Sequence, residues 1–186
     1  MKAIKKISQA SGEQKTIEDN KTSSSFVSSS AFTHSSNDVA PAQGDGEAQR
    51  VGDKIRVKDY SWRALIDAGT TQGIVRLLII QQLADTLNSF STSISCHSFL
   101  PDMNITNGRY KVIEDRLFYV GGDKQNSMVL KRHISAKKLA LKSMEFDEGA
   151  ATYIGNGKLH IFLFTNNATA SQLTVDSNLK LRYYDA

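Results

Sequence analysis

A single cysteine, Cys96, stands in a chain of 186 residues, so no internal disulfide can staple the fold. Burial and hydrogen bonding must hold it, which is compatible with a reducing compartment. Cys96 is followed by His97, but a zinc site needs about four ligands, and no second cysteine or nearby histidine supplies them. The four histidines, His34, His97, His133 and His160, are far apart and form no H-x-H pair. No apolar run approaches the ~20 residues that cross a bilayer, and the amino terminus lacks the apolar core of a secretory signal, so a soluble protein is expected. Nucleophile-elbow, zincin and phosphate-loop motifs are missing. Glu114 and Asp115 are adjacent and would point to opposite faces of a strand, which argues against a cooperating acid–base pair. These absences point away from an enzyme. Helix signals are also scarce, and there are only two prolines.

What is present is strand pattern and a mild excess of positive charge. The formal charge is +4 and the sequence pI about 9.1, which permits an anionic partner without demanding one. Residues 1–53 carry six Lys and Arg against seven Asp and Glu, whereas residues 54–186 carry 17 against 12, so the excess lies in the second part.

The first 48 residues read as a flexible, Ser-rich arm. Lys2, Lys5 and Lys6 lie near Ile4 and Ile7, a pattern open to a short helical turn on an anionic surface or to an irregular tip. From Thr22 to Ser36, eight of fifteen residues are serine, with only Phe26, Val27 and Phe32 to bury, too few to order the segment by itself. Pro41, Gly44 and Gly46 mark an extended lead-in, and a single domain is expected over 49–186.

That domain opens with Arg50 to Gln82. Ile55 and Val57 alternate with Lys54, Arg56 and Lys58, the period of a half-buried strand. Ile74, Val75, Leu77, Leu78, Ile79 and Ile80 form a nearly unbroken run that suits a strand buried on both sides. A polar stretch, 83–109, is too long for a hairpin turn and reads as an excursion, with a short helix around Leu83 to Leu87. Strand signals return at Tyr110 to Val120, Met128 to Lys138, Leu139 to Phe146, Ala151 to Ile154, Lys158 to Thr165 and Leu179 to Tyr184. Gly121-Gly122-Asp123, Asp147-Glu148-Gly149, Gly155-Asn156-Gly157 and Asn166-Asn167 supply turn chemistry between them. With the opening pair, that makes eight strands: an all-β, eight-stranded antiparallel jelly-roll sandwich.

The segments QRVGDKIRV (Gln49 to Val57), YKVIEDRLFYV (Tyr110 to Val120), GNGKLHIFLF (Gly155 to Phe164) and the terminal LRYYDA together resemble the coat protein of satellite tobacco necrosis virus and the capsid proteins of circular single-stranded DNA viruses. The resemblance spans roughly residues 49–186. It implies a capsid protein that self-assembles into a small icosahedral T=1 shell, a homo-oligomer of about 60 copies. The shell would enclose a single-stranded genome, DNA or RNA, with the arm inside. It also implies calcium between subunits, held by the main-chain carbonyls of Val51 and Lys54 and the carboxylate of Asp185. Lys54 pairing directly with Asp185 is the alternative. Such arms are commonly rich in Arg or Lys, and this one is nearly neutral.

Genome contact is therefore expected from Lys2, Lys5 and Lys6 and, on the wall, from Lys54, Arg56 and Lys58, through phosphate charge without sequence readout. A second group, Lys131, Arg132, Lys137, Lys138 and Lys142, is equally open to a solvated outer face. Tyr60 and Trp62 could stack on bases or fill the core between the sheets. His160, alternating with Leu159 and Ile161, reads as a packed or rim histidine. The competing functional class is a jelly-roll binding module, lectin-like or cytokine-like, that forms trimers.

Overall fold

The computed structural model describes residues 13–69, 72–83, 95–97, 100, 110–121, 126–146, 157–168 and 173–186. Nine strands form among them: β1 (Gln14–Ser25), β2 (Phe32–Ser35), β3 (Lys54–Asp67), β4 (Gly73–Gln82), β5 (Tyr110–Val120), β6 (Ser127–Ser135), β7 (Ser143–Glu145), β8 (Leu159–Thr165) and β9 (Thr174–Asp185). No helix occurs among the described residues.

Pairing is nested. β1 pairs with β9, β2 with β8, β3 with β6 and β4 with β5, all antiparallel, as in one long hairpin. Rolling that hairpin up adds β9 against β3 and β8 against β4. Two sheets result, in the orders β1-β9-β3-β6 and β2-β8-β4-β5, with the short β7 on the first part of β3. This is the strand order of a jelly roll.

Side-chain alternation explains why the two sheets stack. On β3, Ile55, Val57, Tyr60, Trp62, Ala64 and Ile66 point inward, and the switch from odd to even numbers coincides with a bulge between Val57 and Asp59. Leu179, Leu181 and Tyr183 of β9 join them, facing Leu77 and Ile79 of β4 and Leu159, Ile161 and Leu163 of β8. Burying each Leu or Ile contributes about 1.5–3 kcal/mol. β4 is a continuous apolar run because its other side is covered as well. There Leu78 and Ile80 pack with Phe162, Phe164, Tyr110, Cys96 and Leu100. Cys96 and Leu100 belong to the polar excursion, so part of it lies over this sheet, while of the helix expected around Leu83 to Leu87 only Leu83 is described, outside any helix, and 84–87 fall outside the described residues.

Several expectations need correction. Arg50 to Gln82 holds the third and fourth strands, because the stretch read as a flexible arm, 1–48, contains β1 and β2. The Ser-rich segment needs no core of its own. Phe26, Phe32 and Val39 are buried in the common one, and β1 is held by backbone ladder bonds to β9 that serine supplies as well as any residue. The sandwich therefore begins at residue 14, not near 49. The strand expected at Leu139 to Phe146 shortens to β7, and that at Leu179 to Tyr184 lengthens to β9. The strand expected at Ala151 to Ile154 lies outside the described residues.

Candidate nucleic-acid interface

The outward face of the β1-β9-β3-β6 sheet is fixed by register. Successive rows across β1, β9, β3 and β6 read Glu18, Lys180, Ser61, His133, and then Asn20, Asn178, Arg63, Lys131. Arg182 lies between Thr16 and Asp59, and Tyr184 lies beside Arg56. A shallow depression of about 850 Å³ opens over these rows, floored by Ser61, Arg63, Lys131, His133, Asn178 and Lys180.

Its cations fall into two groups. Some carry their own counter-charge: Lys180 pairs with Glu18, and Arg182 reaches Asp59 in a two-pronged contact of 2.8 Å on each side. The Asp59 carboxylate raises the Arg182 guanidinium pKa. Arg56, Arg63 and Lys131 are exposed and have no carboxylate partner among the described residues. Arg63 and Lys131 stand directly opposite each other across the β3–β6 ladder, where like charges repel. An anion lying between them would relieve that repulsion, and the hydrogen-bonding groups of Ser61, His133 and Asn178 flank the place.

The residues singled out from sequence are distributed unevenly over this face. Lys54 is held by Glu145 at 2.7 Å. Lys58 donates to Gln14 Oε1 and lies 6.0 Å from the Tyr184 ring centroid, while Arg56 is free of such ties. Lys2, Lys5 and Lys6 lie outside the described residues. Of the later basic group, Lys131 belongs to the face, Arg132 turns away to both Glu114 oxygens at 2.7 Å, and Lys137, Lys138 and Lys142 are exposed beyond β6. Glu114 and Asp115 do point opposite ways, since Asp115 grips Arg76 with two contacts of 2.7 Å on the other sheet. Trp62 and Tyr60 are buried between the sheets and offer no stacking surface. Sequence reading missed Arg63, Lys180 and Arg182. Their period-2 placement was visible, but their meeting with Lys131 depends on which strands are neighbours.

The carboxyl-terminal corner was expected to suit calcium. Asp185 Oδ2 lies 2.9 Å from the Lys15 ammonium, and Oδ1 accepts the Val51 N–H at 3.2 Å. The Lys54 carbonyl accepts the Ala186 N–H at 3.3 Å. A carboxylate already paired with an ammonium, beside a Lys54 carbonyl turned to a backbone donor, does not fit a divalent cation. Nor does Lys54 pair with Asp185. Arg50 beside it is fully enclosed, donating to the Gly52 carbonyl and lying 4.3 Å over the Phe146 ring. Gly52 can offer that carbonyl because it takes a φ of 88°, which favours glycine.

A third titratable group, Asp19, His34 and Asp38, comes together between β1, β2 and the following turn. Lys21 fills its charge requirement, with Nζ 3.0 Å from Asp38 Oδ2, and His34 is fixed by Asp19 Oδ2 at 3.0 Å and Ser177 Oγ at 2.8 Å. This is an ion-pair network. Cys96 is buried with its thiol 3.6 Å from the Ile74 carbonyl, and burial pushes its pKa up, so it is no exposed ligand or nucleophile.

No protein-family model matches the sequence, and no curated protein is significantly similar to it. Solved structures that align with it include Desmodium yellow mottle tymovirus, at 15% identity over 92% of this chain and 87% of that one, with a TM-score of 0.41. Empty-head turnip yellow mosaic virus aligns at 12% identity over 94% and 82%, with a TM-score of 0.44. The 60-mer capsid protein of BFDV aligns at 12% identity over 94% of each chain, with a TM-score of 0.37. Likenesses this distant assign the chain to no family.

Proposed function

We propose that the chain is a capsid protein whose subunits close into a T=1 icosahedral shell of about 60 copies around a single-stranded viral genome. The observation that carries the reading is the basic face: a jelly-roll sheet that turns Arg56, Arg63 and Lys131 outward without carboxylate partners among the described residues and sets two of them against each other. Such a surface neutralises phosphates and reads no bases, which suits a protein that must hold one long strand at many places regardless of sequence. β1 forms the edge of that same sheet, so Lys2, Lys5 and Lys6 precede the face by about a dozen residues and would add to its charge. The bidentate partners of Arg132 and Arg76 serve the fold, and no residue is assigned a catalytic role.

The purified full-length chain is expected to elute in the void of a size-exclusion column and to show closed shells of uniform diameter by negative-stain microscopy. A discrete trimer, with no shells after nucleic acid is added, would overturn the reading in favour of a jelly-roll binding module.

A further inference from the structure

β5 ends its sheet: it pairs with β4 on one side and with no strand among the described residues on the other. Such an edge offers a row of backbone donors and acceptors to any chain that matches it, and proteins commonly blunt it with short strands, cationic side chains or bulges. The other edges are blunted in these ways. β2 has four residues, β1 is bulged between Lys21 and Ser24, and β6 carries Lys131 and Arg132. β5 has eleven residues, and its bulge, opposite the step from Ile79 to Ile80, leaves a regular ladder from Glu114 to Val120. Within that ladder Leu117 is 55% exposed and Tyr119 84%, both on the face turned away from the common core, opposite Arg76 and Ile74.

A two-fold axis perpendicular to the sheet pairs such a strand with itself, antiparallel, and sets each residue opposite one of its own face, so the axis passes through a residue. Centred on Glu114, Asp115 or Arg116, it sets like charges directly opposite each other, which destabilises. Centred on Phe118, it uses only 116–120. Centred on Leu117, it uses the whole regular ladder. Leu117 then meets Leu117 of the second copy, Tyr119 lies opposite Asp115, whose carboxylate can accept from its hydroxyl, and Arg116 lies opposite Phe118, a cation against a ring. Each unlike pair occurs twice.

We propose that β5 is a self-pairing edge: two copies of the chain join through it about Leu117, and their four-stranded sheets become one continuous sheet. The inference concerns a pair of chains and stands whether or not such pairs close into a shell.

Disulfide trapping in the full-length chain tests it, with Cys96→Ser as background so that each protein carries one thiol. Residues directly opposite in an antiparallel pair have Cα atoms about 4.5–5.5 Å apart, within reach of a disulfide. Leu117→Cys should therefore give a covalent dimer on mild oxidation, read on a non-reducing denaturing gel. Tyr119→Cys is the control. It stands four residues from its own symmetry mate, about 13 Å along the strand, too far to bridge. If Leu117→Cys is not recovered, Arg116→Cys and Phe118→Cys refolded together take its place, a bridge in the mixture but in neither alone supporting the proposal and any other pattern overturning it. No dimer from Leu117→Cys, or as much from Tyr119→Cys, overturns it. Trapped dimers without shells would sink the capsid reading and leave this one standing; shells in which Leu117→Cys stays unbridged would do the reverse.

Discussion

His160 owes its chemistry to what surrounds it. The ring is largely enclosed, donates from Nε2 to the Gln82 side-chain oxygen at 3.0 Å and stacks parallel to Phe162 at 5.8 Å. Desolvation first, and the Lys158 charge second, lower its pKa to about 4. His34 shifts the same way, because burial and Lys21 outweigh Asp38 and Asp19. A histidine whose pKa falls on folding takes up its proton more readily in the unfolded chain. Stability is therefore full above the ordinary histidine value of about 6.5 and falls as the pH drops toward 4, by at most about 3 kcal/mol for His160. Denaturant unfolding between pH 7 and 4 should show the parent losing that much more than His160→Gln, which can keep the Gln82 contact. Parallel losses in the two proteins would assign the acid sensitivity elsewhere. At this scale the sequence was informative where one residue's alternation settled its direction, Glu114 and Asp115 apart and His160 packed, but not for Trp62, which the bulge after Val57 turns inward. It was uninformative where a partner comes from a distant strand, as with Lys15 and Asp185.

Among the elements, β3 and β4 were legible because their own side chains declare a period. β1 and β2 were not. Thr22 to Ser36 looks unable to fold because its apolar residues are few, yet Phe26 and Phe32 need only reach a core that other strands build. The bonds of β1 are backbone bonds to β9, running from Gln14 opposite Tyr184 to Ser25 opposite Thr174, and no composition reveals them. Deleting residues 1–12 should leave a folded protein, whereas deleting 1–25 should yield insoluble or unfolded chain, since it bares β9 and removes Lys15 from Asp185. Limited trypsin digestion supplies the parallel test. Lys15 is buried, and Lys21 is tied to Asp38 and to the Thr33 carbonyl, so cuts there should lag well behind those at Lys137 and Lys138. Early cleavage at Lys15 or a soluble, folded 26–186 fragment would show that β1 is dispensable.

For the whole molecule, the two sheets differ in what covers them. One sheet presents an open basic surface, and the other is covered over Leu78, Ile80, Phe162 and Phe164. If the open face holds the genome, each lost phosphate contact should flatten the log–log salt dependence of single-strand binding by about 0.7, and Arg56→Ala, Arg63→Ala, Lys131→Ala together by about two. Lys54→Ala should change little, because Glu145 already holds that ammonium. Oligonucleotide affinities across a salt series distinguish the cases: an unchanged slope in the triple variant would make the face ordinary solvated surface. The overall charge excess was visible in composition, but the meeting of Arg63 with Lys131 follows from strand order, which brings Arg63 of β3 between Asn178 of β9 and Lys131 of β6.

The nested pairing also orders events in time. β9 lies between β1 and β3, so neither the first sheet nor the Lys15 corner can close until Thr174–Asp185 has been synthesised. At about 5–20 residues per second, β1 waits some 10–30 s after emerging from the ribosome before its own partner exists. During that wait the strand that matches it best is the finished β9 of another chain. Crowded synthesis on one message therefore favours exchange of the first strand between neighbours, and slow elongation, which lengthens the wait, should increase such swapped dimers, whereas fewer chains per message should reduce them.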